Sequence, residues 1–136
     1  MSRVINTVIT FGTFDLLHIG HINILRKAKA LGDRLIVGVS TDDLNFSKKN
    51  VYPVYNERDR FEIVQSICFV DGVFFEKSLE EKGEYIKMFH TDILVMGEDW
   101  KGKFDHWGEE CNCEVVYLER TEGISTTITK DNISES

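Results

Sequence analysis

The stretch Phe11-Gly12-Thr13-Phe14-Asp15-Leu16-Leu17-His18-Ile19-Gly20-His21 constrains this chain more than any other. Before it, Val4-Ile5-Asn6-Thr7-Val8-Ile9-Thr10 is short and β-branched, which reads as a strand buried on both faces. Gly12 ends that strand. Leu17, Ile24, Leu25, Ala28 and Leu31 then recur at helical spacings, with Gly32 as the expected C-cap. A strand, a glycine turn and a helix start aim backbone N–H groups and the positive end of a helix dipole at one spot, where a phosphate can sit. His18 and His21 lie three apart, on one face of the first helical turn, and imidazoles can donate to phosphate oxygens. Gly20 between them lets a ligand approach the backbone. Zinc is the rival reading of the pair. Metal-binding helices favour a spacing of four, and no third ligand stands out, so no metal ligand is assigned.

The remaining pattern alternates. Strands are expected at 34–40, 73–75, 92–96 and 114–118, and helices at about 56–69, 78–90 and 105–111, with a last helix from about Ser125. Phe61, Val64, Ile67 and Cys68 are expected to face inward. Ser78-Leu79-Glu80-Glu81 reads as a capping box. Residues 44–56 lack periodicity, contain the only proline, Pro53, and carry Lys48 and Lys49, as a lid or binding loop would. Apolar strands alternating with helices imply parallel pairing and right-handed crossovers. The expected fold is a single Rossmann-like three-layer α/β domain over 1–136 with a five-stranded parallel sheet. Ligands in such sheets bind at the C-terminal strand ends, which gathers the loops after strands one, two, four and five.

Composition bounds the partners. A chain of 136 residues fits one domain, and a net charge of −7 argues against non-specific nucleic-acid binding. No stretch approaches the ~20 apolar residues of a membrane span, and no charged-then-apolar leader opens the chain, so a cytoplasmic protein is expected. Cys68, Cys111 and Cys113 fit neither a redox pair nor a zinc ribbon and read as reduced thiols.

A second constellation, Arg120-Thr121-Glu122-Gly123-Ile124-Ser125-Thr126-Thr127, sets a glycine and three hydroxyls at a helix start with an arginine just before. That is a second anion site on the same sheet edge, and two such sites suit a triphosphate.

Together, His18-Ile19-Gly20-His21 after Gly12-Thr13-Phe14-Asp15 and the Arg120–Thr127 segment resemble the two signatures of the HxGH nucleotidyltransferase superfamily. With Met96-Gly97-Glu98-Asp99-Trp100 and Gly102-Lys103-Phe104-Asp105, the chain resembles the glycerol-3-phosphate cytidylyltransferase family over about residues 3–130. The resemblance implies attack by an acceptor phosphate oxygen on the α-phosphorus of CTP, release of pyrophosphate, and Mg²⁺ carried on the triphosphate. It implies His18, His21, Lys48 and Arg120 as catalytic residues. Thr13, Phe14, Ile19, Gly20, Lys49, Thr121, Gly123, Ile124, Ser125, Thr126 and Thr127 join them around the nucleotide. It places Asp15, Lys48, Arg60, Lys82 and Trp100 with the substrates, and it implies a homodimer and a CDP-linked product for cell-surface polymer or capsule synthesis. Such chemistry needs positioning and charge neutralisation rather than a nucleophile–base pair, and no such pair is evident.

Two departures bear on the acceptor. Cys68 stands where family members commonly carry arginine, and Leu79 where glycerol-3-phosphate enzymes carry tryptophan. Both are expected on the acceptor side, which keeps another small phosphorylated acceptor, such as L-glutamine phosphate, as an alternative. An adenylyltransferase of the same superfamily is the second alternative.

Overall fold

The computed structural model describes residues 5–119; Arg120 to Thr127 and the helix expected from Ser125 lie outside the described residues. The elements run β1 (Thr7–Gly12), α1 (Ile19–Ala30), β2 (Arg34–Ser40), α2 (Asp42–Lys49), α3 (Glu57–Gln65), β3 (Gly72–Glu76), α4 (Lys82–Met88), β4 (Ile93–Gly97), a 3₁₀ turn (Glu98–Trp100), α5 (Asp105–Cys111) and β5 (Glu114–Leu118). All pairings are parallel, in the order β3-β2-β1-β4-β5. The chain winds outward from β1 to β3, then crosses back to β4 on the other side of β1. The C-terminal end of β1 is therefore the switch point, where neighbouring connections diverge and leave a crevice.

Strand alternation splits the core into two layers. Val8, Leu35, Val37, Val39 and Val95 face α1 and α3, packing with Leu25, Ala28 and Val64. Ile9, Phe11, Ile36, Leu94 and Met96 face α4 and α5, packing with Ile86 and Trp107. This is the expected three-layer arrangement, reached because each strand is apolar on both sides. At the opposite edge, aspartates from the crossovers accept the first strand amides: Asp33 from Asn6, Asp92 from Thr7 and Asp71 from Leu35, at 2.8–2.9 Å.

Four local readings change. The lysines 48 and 49 are not in a loop: Thr41 caps α2 by accepting from the Leu44 amide at 3.1 Å, and both lysines lie in its last turn. Gly32 is not a left-handed cap, since Leu31 caps α1 in a right-handed conformation. Its missing side chain matters instead because a Cβ would come within 2.7 Å of Val8 and 2.8 Å of the Asn6 carbonyl. Ser78 accepts from the Glu81 amide at 3.1 Å but caps only a turn, and α4 begins at Lys82. Cys68 is exposed beyond the end of α3 rather than inward. It is three residues from Asp71, whose amide donates to Leu35 at the start of β2.

Candidate active site

The turn after β1 is forced into an unusual shape. Phe14 and Leu16 adopt left-handed φ of 55° and 49°, a strained conformation for bulky residues. Burial holds it: Phe14 and Leu16 are both buried, and the Phe14 ring lies where a Gly12 Cβ would be, 2.9 Å away. Asp15 between them is buried, and its carboxylate accepts from the Val54 and Tyr55 amides at 2.7 and 2.9 Å. Asp15 thereby ties the 50–56 segment to the turn while remaining on the wall of the adjoining cavity.

The two histidines cap their own helix. His18 is the N-cap of α1, and its Nδ1 accepts from the Gly20 amide at 3.0 Å. His21 Nδ1 accepts from the His18 amide at 3.1 Å, completing a reciprocal capping box. An Nδ1 that accepts from a backbone N–H carries no proton, so each neutral ring must carry its hydrogen on Nε2. Burial pushes the His21 pKa down to about 4, with the adjacent His18 adding to the effect and Asp15 opposing it. Burial also lowers the His18 pKa. The ring centroids are 4.0 Å apart, a separation two imidazolium ions would resist. The pair is therefore two neutral Nε2–H donors. His18 Nε2 is buried without a hydrogen-bond partner among the described residues, which leaves a donor in want of an anionic oxygen.

This revises the backbone-amide reading of the helix start. The amides of His18 and Gly20 are occupied by imidazoles, and the Nε2 donors replace them. Gly20 is buried and contributes its missing side chain; Ile19 is 52% exposed, so any contact it makes with a phosphate runs through its backbone.

Behind the turn, Asn45 on α2 accepts from the Thr13 hydroxyl at 2.7 Å and donates to Ser40 Oγ and the Thr41 carbonyl at 3.0 and 2.9 Å. Arg60 is wholly buried. Its guanidinium donates to the carbonyls of Tyr55, Thr13 and Ser40 at 2.8–3.0 Å and to Asp42 Oδ1 at 2.7 Å. Its expected role changes accordingly: it positions the first turn, β2 and the 50–56 segment instead of meeting substrate.

Two cavities share the wall Phe11-Gly12-Thr13 and Lys49. One, about 500 Å³, is bounded by Phe14, Asp15, His21 and Tyr52. The other, about 610 Å³, is bounded by Lys48, Glu76, Leu79, Lys82, Trp100 and Lys103. In the second, Lys82 Nζ donates to Glu76 Oε2 at 2.6 Å, both residues being 2% exposed, and sits 3.6 Å from the Phe11 ring centroid. Burial lowers the Lys82 pKa, and Glu76 opposes the shift. Lys48 is exposed as a residue, yet partial desolvation lowers its pKa too, Glu76 again opposing. Trp100 is 45% exposed at the rim, with the Lys103 ammonium 5.5 Å from its ring.

The structure thus brings Thr13, Phe14, His21, Lys48, Lys49, Lys82 and Trp100 around one crevice, with the His18 ring packed against His21 behind it. Leu79 lines it as expected. Cys68 does not, since β2 spans seven residues, roughly 20 Å, between the edge near Cys68 and the crevice. Asn45 and Glu76 were not singled out. Glu76 had a signal: a lone carboxylate ending an apolar strand, six residues before a lysine. Among the described residues, no three His, Cys, Asp or Glu side chains converge as a metal cage.

A parallel sheet with a crevice at its switch point, a pair of neutral imidazoles at the adjoining helix start and converging lysines define a nucleotide-phosphate-handling enzyme. The chain belongs to the cytidylyltransferase-like family, whose model matches residues 9–132. It is 52% identical to the glycerol-3-phosphate cytidylyltransferase of Bacillus subtilis, over 93% of this chain and 96% of that protein. It is 48% identical to the enzyme of the same name from Staphylococcus aureus, over 93% of each. A crystal structure of a lipopolysaccharide core biosynthesis protein from Thermoplasma volcanium shares the fold, with a TM-score of 0.78 and 24% identity over 88% of this chain and all of that one. The protein is a CTP-dependent nucleotidyltransferase.

Proposed function

We propose that this enzyme transfers CMP from CTP to glycerol 3-phosphate, releasing pyrophosphate and forming CDP-glycerol. The observation that carries the reading is the 52% identity to a glycerol-3-phosphate cytidylyltransferase along nearly the whole of both chains. A phosphate oxygen of the acceptor forms a bond to the α-phosphorus of CTP as the bond to the bridging α–β oxygen breaks. The acceptor phosphate is already a nucleophile, so the protein's task is alignment and stabilisation of the charge that builds on the transferred phosphorus and the leaving pyrophosphate.

In this reading His18 and His21 donate from Nε2 to phosphate oxygens of CTP, and Lys48 and Lys49 bring positive charge from the end of α2. The second cavity takes the acceptor, with Lys82 on its phosphate. Arg120 and the Thr121–Thr127 segment complete the nucleotide site on the strength of the family resemblance. Mg²⁺ arrives on the triphosphate. Its charge neutralisation suits a site whose imidazoles present hydrogens rather than lone pairs. The same reading makes the enzyme a cytoplasmic homodimer that supplies a cell-surface polymer or capsule pathway. Cys68 no longer argues for a different acceptor, because it lies at the far edge of the sheet; Leu79 still lines the chamber.

A pyrophosphate-release assay crossing CTP and ATP with glycerol 3-phosphate, ethanolamine phosphate and phosphoserine tests the proposal. Turnover should be highest with CTP and glycerol 3-phosphate. Preference for ATP, or for another acceptor, refutes it.

A further inference from the structure

We propose that Glu76 determines acceptor specificity: its carboxylate admits phosphomonoesters that bear a hydroxyl group and excludes those that bear a carboxylate in its place. The inference rests on the glycerol 3-phosphate reading and concerns the part of the acceptor that does not react.

Glu76 closes β3 at the C-terminal edge of the sheet, and its main chain is fixed by pairing with Ser40 and by the Thr41 amide, which donates to its carbonyl at 3.0 Å. The side chain is 2% exposed and still forms part of the chamber wall. Oε2 is taken by Lys82 at 2.6 Å. Oε1 makes no hydrogen bond to any described residue. Lys82 is held in turn between this carboxylate and the Phe11 ring, 3.6 Å from its centroid. The wall thus sets an ammonium and an uncommitted carboxylate oxygen side by side.

Such a pair sorts ligands by the sign of what they bring. A phosphate monoester can place its phosphate towards Lys82 and Lys48 and donate the hydroxyl of a terminal hydroxymethyl group to Oε1. Replacing that hydroxymethyl by a carboxylate removes the donor and sets two like charges together in a desolvated wall, an arrangement that discriminates by repulsion as much as by attraction. Sites that commit a buried polar group to a substrate hydroxyl reject ligands lacking it steeply. Glu80, also on the wall, is exposed, so water screens its charge and it has little power to discriminate.

The test compares kcat/KM for glycerol 3-phosphate and 3-phosphoglycerate, which share a skeleton, at saturating CTP. The wild-type enzyme should prefer glycerol 3-phosphate at least tenfold. Glu76→Gln should narrow that ratio about tenfold or more while leaving KM for CTP within about twofold. Glu80→Gln, which removes a charge from the same wall, should leave the ratio unchanged. An equal shift in both variants, or no shift in Glu76→Gln, overturns the assignment. So does parity between the two acceptors in the wild type, a readout that needs no variant to fold. If the wild-type enzyme turns over no glycerol 3-phosphate, the acceptor reading itself fails; turnover with an unmoved ratio refutes only the role of Glu76.

Discussion

Replacing His18 by asparagine separates two jobs that one imidazole performs. His18 Nδ1 caps α1 by accepting from the Gly20 amide, and Nε2 is buried beside the His21 ring with no partner among the described residues. An asparagine oxygen lies close to the Nδ1 position and is among the best N-caps, so His18→Asn should keep helix α1 and change stability by less than ~0.5 kcal/mol. It has nothing at the Nε2 position. Losing one preorganised donor to a transition-state oxygen costs ~3–4 kcal/mol, a fall in kcat of roughly 10²–10³. His18→Ala loses both groups. It should show the same fall in kcat together with ~1 kcal/mol of lost stability, about 4 °C in Tm for a domain of this size. Pyrophosphate release at saturating substrates and thermal denaturation followed by circular dichroism read the two effects separately. A folded His18→Asn enzyme with near wild-type kcat would refute the donor role. An asparagine variant as unstable as the alanine one would refute the cap.

Stability should depend on pH through His21. Its pKa is depressed to about 4 in the fold from 6.5, so the unfolded chain binds the extra proton between those values. Stability is then fully present above pH 6.5 and falls as pH drops towards 4, by at most ~3 kcal/mol and, with screening at a half-buried ring, roughly 1–2 kcal/mol. Urea midpoints at pH 7 and 4.5 should differ in that sense, and His21→Asn should shrink the difference. Arg60→Met should destabilise by about 3–5 kcal/mol, because it strips donors from three carbonyls and leaves Asp42 without its ion-pair partner; a loss under ~1 kcal/mol by urea denaturation would contradict its positioning role. Cys68→Arg should leave the relative kcat/KM across acceptors unchanged, since Cys68 is a sheet's length from the chamber, and a shift towards glycerol 3-phosphate would contradict this placement.

The strands and most helices were legible because they rest on one-dimensional patterns: apolar runs of strand length, helical spacing, and glycines between them. Helix α2 was not, because Leu44 is its only buried apolar residue and the other buried position is filled by Asn45, held by hydrogen bonds. The Thr41 cap and the acidic Asp42-Asp43 after it were the signal that could have revealed it. At the site, the histidine pair was visible from spacing alone. The way the pair is used was not: that Nδ1 of each ring is spent on the backbone, leaving Nε2 to carry the hydrogen, depends on the N-cap geometry of residue 18, which spacing does not encode. Arg60 and Asp15 show the same limit. A charged residue in a motif looks the same in sequence whether it meets a ligand or the backbone, and only burial and the number of partners separate the two. Cys68 illustrates distance: neighbours in a motif can lie at opposite edges of a sheet.

In the proposed mechanism both imidazoles of the site are neutral, each with its hydrogen on Nε2. Nitrogen-15 NMR of the histidine rings tests it directly. At pH 7, His18 and His21 should both show the neutral Nε2–H tautomer, with His21 staying neutral until the pH falls towards 4. An imidazolium signal for either ring at pH 7, or a proton on Nδ1, would contradict the account.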